Sequence, residues 1–254
     1  MPTSHSKLPD ELIEQMKSKN IWRPACPVAL ERLALVKIEH LDFEGQFHSD
    51  GELVVMDAVA PRVKRIFDTL LEQKFPIKKI FSLHHYDGDD EHSMSDNNTS
   101  CFNFREIAGS KTVSIHGYGL AIDLNPLQNP YLTFDESKGI ATIHPPEGWS
   151  YLNRGNQKAG MVEPVVQLFA DHGFTIWGGK WTTPLDYHHF QTPRVVAELL
   201  CAMDEPEGLQ FFEQFANRTL KLPETLNSEE TAALVSLYKR DKNSFYRTIK
   251  LKLA

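Results

Sequence analysis

The sequence predicts an α+β fold followed by a helical C-terminal extension, and three observations carry that expectation. Short apolar runs bounded by turn residues alternate with helix-spaced segments between about residues 30 and 195. No internal repeat or low-complexity segment interrupts them. Beyond Gln191 the pattern turns helical to the end. A chain of 254 residues has room for one good-sized domain with appendages or for two small ones. The expected division is an N-terminal segment (1–29), a central domain (30–195) and a helical extension (196–254).

Taken in order, Asp10–Ser18 reads as a polar helix and 33–43 as a strand. Turn residues occupy 45–50, and 52–56 is a second short apolar strand. Pro61 is suited to a first helical turn, and Val63, Ile66, Phe67, Leu70 and Leu71 follow at helical spacing. Residues 77–83 are a further strand candidate. The stretch 84–100 is too rich in Asp, Asn and Ser for regular structure, and loops of that length are usually functional or disordered. Residues 119–124 read as a strand and 145–156 as a loop. Val162, Val165, Val166 and Phe169 mark a helix that stops at Gly173, and 174–177 form a short strand ending in Gly178-Gly179. Helices over 195–203, 209–216 and 228–238 complete the chain, whose basic end carries Arg247, Lys250 and Lys252.

Composition narrows the function classes. With 41% hydrophobic and 24% charged residues the chain has the balance of a soluble globular protein. A net charge of −7 argues against a nucleic-acid partner, which needs a basic surface. No apolar run approaches the roughly 20 residues of a membrane span, and polar residues 1–20 show no secretory signal. Cys26, Cys101 and Cys201 are far apart and odd in number, so a thiolate zinc site is not expected. Three free thiols are the expectation, with a Cys26–Cys101 disulfide as the alternative.

The segment from Ser114 to Leu124 is chemically the most informative. On a strand, Leu120, Ile122 and Leu124 would share an apolar face, while Gly119, Ala121 and Asp123 would share the other. A face of very small residues ending in one acid suits the floor of a cleft. His116, across a glycine-rich bend, could fold back beside Asp123 to give half of a zinc site. Asp186 and His189, three residues apart, would share one side of a helical or tight turn. There the imidazole could complete the ligands while the carboxylate addresses the attacking water, with Trp177 and Trp181 walling the site or contacting substrate. Eleven histidines also produce chance His/Asp proximities, so spacing alone leaves structural histidines as a competing reading. His84, His85 and His92 are expected to be solvated rather than ligating. Asp87, Asp89 and Glu91 resemble the start of a calcium loop, but His92 and Asn98 stand where Gly and Glu are needed.

The pattern Ser-x-His-x-x-Gly-x-Ala-x-Asp, followed much later by acid-x-x-His-Phe, is met by Ser114, His116, Gly119, Ala121, Asp123, Asp186, His189 and Phe190. It resembles the zinc D-Ala-D-Ala carboxypeptidases and L-Ala-D-Glu endopeptidases, the VanY-like group with the hedgehog/DD-peptidase fold. Stretches 51–55, 74–77, 93–94, 97–100 and 102–105 add to the resemblance, which covers roughly 35–191. It implies a small, mostly antiparallel sheet with flanking helices. It further implies one zinc ion per chain held by His116, Asp123 and His189, rather than by the adjacent His188. Asp186 would be the general base, although many relatives have Glu there, and Arg105 would polarise the scissile carbonyl or hold a substrate carboxylate. Ser114 would support the site or cap the turn. The implied substrates are peptidoglycan stem peptides of the bacterial cell wall, with the cell envelope or periplasm as the expected location. An endopeptidase or dipeptidase of the same group, or a catalytically silent zinc-binding recognition module, remains as the alternative.

Overall fold

The computed structural model describes residues 5–135, 137–220, 222 and 225–251. Strand β1 (His5–Lys7) leads into α1 (Asp10–Ser18), whose Leu12 and Met16, four apart, form its buried face. β2 (Leu33–Leu41) and β3 (Phe47–Met56) pair antiparallel, and β1 adds to the outer edge of β2. The turn between β2 and β3 is shorter than expected. Asp42 Oδ1 accepts from the backbone N–H groups of Glu44 and Gln46, at 2.9 and 2.8 Å, which brings the chain back by Phe47. Helix α2 (Ala60–Glu72) then lays Val63, Ile66, Phe67 and Leu70 against β2, as its spacing predicts.

The stretch 77–100 departs from expectation. Of the expected strand over 77–83 only β4 (Lys79–Ile80) forms, and the polar run that follows is ordered into a 3₁₀ turn (Leu83–Tyr86), α3 (Asp90–Ser95) and β5 (Asn98–Thr99). Its side chains supply the bonds that an apolar face would otherwise replace. Asp89 caps α3 by accepting from the His92 N–H at 3.0 Å. The Asn98 amide donates to the Phe81 carbonyl and to Ser93 Oγ, at 2.8 and 2.9 Å, which ties β5 alongside β4 in parallel.

Strand β6 (Ala121–Asp123) is shorter than the expected 119–124. Residues Ile115–Tyr118 form a 3₁₀ turn that closes on Gly119 at φ +67°, so Gly119 belongs to the turn and not to the strand face. A Cβ there would lie 2.6 Å from the Met56 backbone nitrogen. Gly119→Ala is therefore expected to destabilise the fold by at least about 1–2 kcal/mol, the penalty of a left-handed L-residue, before the clash is added. Urea unfolding would show this as a lowered midpoint with an unchanged slope.

The hairpin of β7 (Tyr131–Asp135) and β8 (Ile140–His144) was not foreseen, and the expected loop at 145–156 contains a 3₁₀ turn (Pro146–Tyr151). After α4 (Val166–Asp171) come β9 (Ile176–Trp177), β10 (Leu185–Asp186) and β11 (His189–Gln191). Asp186 and His189 thus sit on two different strands, not on one helical or tight turn. β11 runs between β6 and β9, and β7 between β10 and β8, all antiparallel. Leu120, Ile122, Leu124 and Phe190 are fully buried, and Phe190 stacks on Phe169 with ring centroids 4.1 Å apart.

Helices α5 (Arg194–Ala202), α6 (Glu205–Ala216), α7 (Ser228–Arg240) and α8 (Lys242–Leu251) share one continuous core with the strands before them. Phe212 meets Phe174 edge to face at 6.5 Å. The Arg62 guanidinium forks onto Glu213 at 2.9 and 2.5 Å, and Arg32 spans Asp57 and the Leu200 carbonyl. Lys252, the last of the basic residues noted above, lies outside the described residues. All three cysteines are free thiols, so the Cys26–Cys101 disulfide does not form. Burial pushes the Cys26 thiol up to about 11 and that of Cys201 to about 12, which keeps both unreactive. Among the described residues no helix is long and apolar enough to cross a membrane.

Candidate metal centre

The register of β6 against β11 sets Asp123 directly opposite His189. Cross-strand partners project to the same face, so the two side chains meet without any loop to position them. His189 Nδ1 lies 2.9 Å from Asp123 Oδ1. The next residue, Phe190, points the other way into the core and anchors the strand. His116 arrives from the 3₁₀ turn before β6, with Nε2 at 3.2 Å from Asp123 Oδ2 and 3.1 Å from His189 Nδ1. All three residues are buried.

Hydrogen bonds on the far side of each ring decide what the inner nitrogens can do. His116 Nδ1 donates to the Cys101 carbonyl at 2.6 Å, and His189 Nε2 donates to Gln191 Oε1 at 2.8 Å. In neutral rings the inward-facing nitrogens then carry lone pairs and face a carboxylate. Three acceptors converging at 2.9–3.2 Å repel one another unless a proton or a metal cation lies between them. Tetrahedral zinc with bonds of 2.0–2.1 Å separates its ligands by about 3.3 Å. The donor set and its spacing therefore fit zinc with little rearrangement.

A second carboxylate borders the trio. Asp186 is buried on β10, where Gly178 passes so close that a Cβ would lie 2.5 Å from the Asp186 carbonyl oxygen. His188 Nε2 stands 2.9 Å from Asp186 Oδ1 and 3.7 Å from Asp123 Oδ2, and its Nδ1 donates to the Asn129 carbonyl at 2.9 Å. Asp186 Oδ1 is buried, and its contact with His188 is an ion pair; it has no hydrogen-bond partner among the described residues. Burial alone would lower the His188 pKa, but Asp186 and Asp123 outweigh it and bring it to about 9. For His189 too, Asp123 overcomes burial and raises the pKa. Burial would raise Asp123, yet the charges of His116 and His188 hold it well below the usual carboxylate range.

The remaining expected site residues divide by position. Ser114 accepts from the His116 N–H at 3.4 Å, so it caps the turn that carries His116. The Trp177 ring stacks towards Phe190, and its Nε1 donates to the Tyr187 carbonyl at 2.8 Å. Trp181 instead tilts against the His189 ring at 5.3 Å and is half-buried. Arg105 is half-exposed, with Nη2 2.9 Å from Asp90 Oδ2 and a buried Nε that has no hydrogen-bond partner among the described residues. Sequence reasoning missed Gln191, Asn129 and the Cys101 carbonyl. For Gln191 a signal existed, since it stands two residues after His189 and so shares its strand face.

Residues 108–192 match the family model described as D-alanyl-D-alanine carboxypeptidase, and that match supports a peptidase. It spans the segments that carry His116, Asp123, Asp186 and His189. No match to the chain was found among curated proteins or among solved structures.

Proposed function

We propose that the protein is a zinc metallopeptidase that hydrolyses peptide bonds next to D-amino acids in peptidoglycan stem peptides, as a D,D-carboxypeptidase does. The observation that carries this reading is the convergence of three inward-facing acceptor atoms beside a second carboxylate with an oxygen free of hydrogen bonds. When bound, zinc supplies Lewis acidity that polarises a carbonyl and activates water. His116, Asp123 and His189 hold the ion, one per chain. Asp186 accepts the proton of the attacking water and passes it to the leaving amine. His188 is a positioning residue, holding Asp186 by charge while it is itself held by the Asn129 carbonyl. Arg105 has its charge partly taken by Asp90, and its half-exposed guanidinium offers donors to a substrate carbonyl or terminal carboxylate. Such a substrate implies action in the cell envelope or periplasm.

Arg105→Lys is expected to keep zinc and fold but to lower kcat/KM by about tenfold or more, roughly 1.4 kcal/mol, because a point charge does not replace a planar fork. Steady-state kinetics matching the parent would remove Arg105 from the site.

The reading as a whole is tested by mass spectrometry of defined wall peptides incubated with the zinc-loaded protein. Release of free D-Ala supports the carboxypeptidase. A cut after L-Ala would reassign it to the endopeptidase of the same group. No turnover of any wall peptide would overturn the enzyme and leave a zinc-binding recognition module.

A further inference from the structure

We propose that Glu52, His84 and His85 form a second, weaker site for a divalent transition cation, beyond the single zinc of the peptidase centre. Their candidate ligand atoms all lie within 4.8 Å of one another, and none belongs to the first cluster. Both histidines fall in the polar stretch where only solvated side chains were expected, yet His84 is half-buried and Glu52 is buried.

The surrounding bonds prepare the ligands. Glu52 lies opposite Lys37 across β2 and β3, and Lys37 Nζ takes Oε2 at 2.6 Å. Oε1 remains, and both imidazoles gather around it: His85 Nε2 at 3.3 Å and His84 Nε2 at 3.8 Å. Ser82 fixes the proton of His84. Its hydroxyl donates to Glu52 Oε1 at 2.8 Å, so it accepts from His84 Nδ1 at 2.7 Å. His84 Nε2 is then a bare acceptor aimed at a carboxylate, the relay that orients a ligating imidazole. The backbone is pinned as well, since Lys19 Nζ donates to the His84 carbonyl at 2.6 Å.

Two imidazoles and one carboxylate oxygen suit zinc or a similar borderline cation better than calcium or magnesium, which prefer oxygen. Three features make the site weaker than the first. Lys37 leaves a positive charge beside it, His85 is 47% exposed and must be ordered, and the ligand atoms stand farther apart. A bound ion would tie β3 to the 3₁₀ turn that leads into α3, the helix whose Asp90 pairs with Arg105.

The test is a zinc titration of the metal-free full chain against a chromophoric chelator, and it does not depend on peptidase activity. The parent is expected to take up two equivalents in a tight and a weak step. His85→Ala and Glu52→Gln should each lose the weak equivalent and keep the tight one. His116→Ala should lose the tight equivalent and keep the weak one. Uptake by the parent of the tight equivalent alone, with no weak step, would overturn the proposal. So would a second equivalent that persists in both His85→Ala and Glu52→Gln, which would be scattered surface binding. Because His85 is exposed, its variant decides the matter even if Glu52→Gln does not fold. Loss of the tight step alone would count against the peptidase centre and not against this site.

Discussion

Asp186→Asn is expected to bind zinc and wall peptide as the parent does while turnover falls by about 10²–10⁴-fold, the usual worth of general acid–base catalysis. The substitution keeps the size of the side chain and removes its ability to accept a proton. Its geometry is favourable to such a test, because Asp186 Oδ1 is buried without a hydrogen-bond partner and is not among the three converging ligand atoms. If Asp186 were instead an anchor for β10, Asp186→Asn would shift the melting temperature more than the rate. Parallel measurement of zinc content, melting temperature and kcat separates the two. A stable, zinc-loaded and fully active Asp186→Asn protein would sink the mechanism.

His189→Ala, three residues away, is expected to fail differently, losing most of its zinc and with it the activity. The ring supplies one of three inward-facing atoms, and alanine leaves Asp123 and His116 without their third partner. Gln191→Ala should give a milder form of the same defect, about 10–100-fold weaker zinc binding, since Gln191 only fixes the His189 tautomer. Uptake should also weaken as pH falls, because Asp123 raises the His189 pKa and the ion must displace that proton. Undiminished zinc in His189→Ala by elemental analysis would move the centre elsewhere.

Much of the fold was legible because period and burial agree. In α2 the apolar positions sit at helical spacing and become the buried face, and Asp10–Ser18 forms its helix where the pattern placed it. The pairing of His116 with Asp123 was legible for a related reason, since alternation around Ile122 put the carboxylate on the face away from the core. The hairpin of β7 and β8 was not legible. Its apolar residues Phe134 and Ile140 are exposed, so no buried face imposes a period on the sequence. α3 was hidden by its six-residue length and its dependence on the Asp89 cap. The placement of Asp186 and His189 on separate strands depends on pairing with segments some sixty residues upstream, which local spacing cannot report.

That long-range pairing also bears on how the centre comes into being. His189 and Asp123 are 66 residues apart in the chain, and they face each other only once β11 has docked beside β6. Closing a loop of that length carries an entropic penalty that grows as about (3/2)RT ln n and precedes any reward from the contacts. The ion therefore has no complete cradle in a nascent or partly folded chain. An ion held by His116, Asp123 and His189 would enter after the strands have joined, and would then oppose their separation by binding only the joined form. Under the proposed zinc reading, loosening the pairing of β11 with β6 is expected to speed release of the ion.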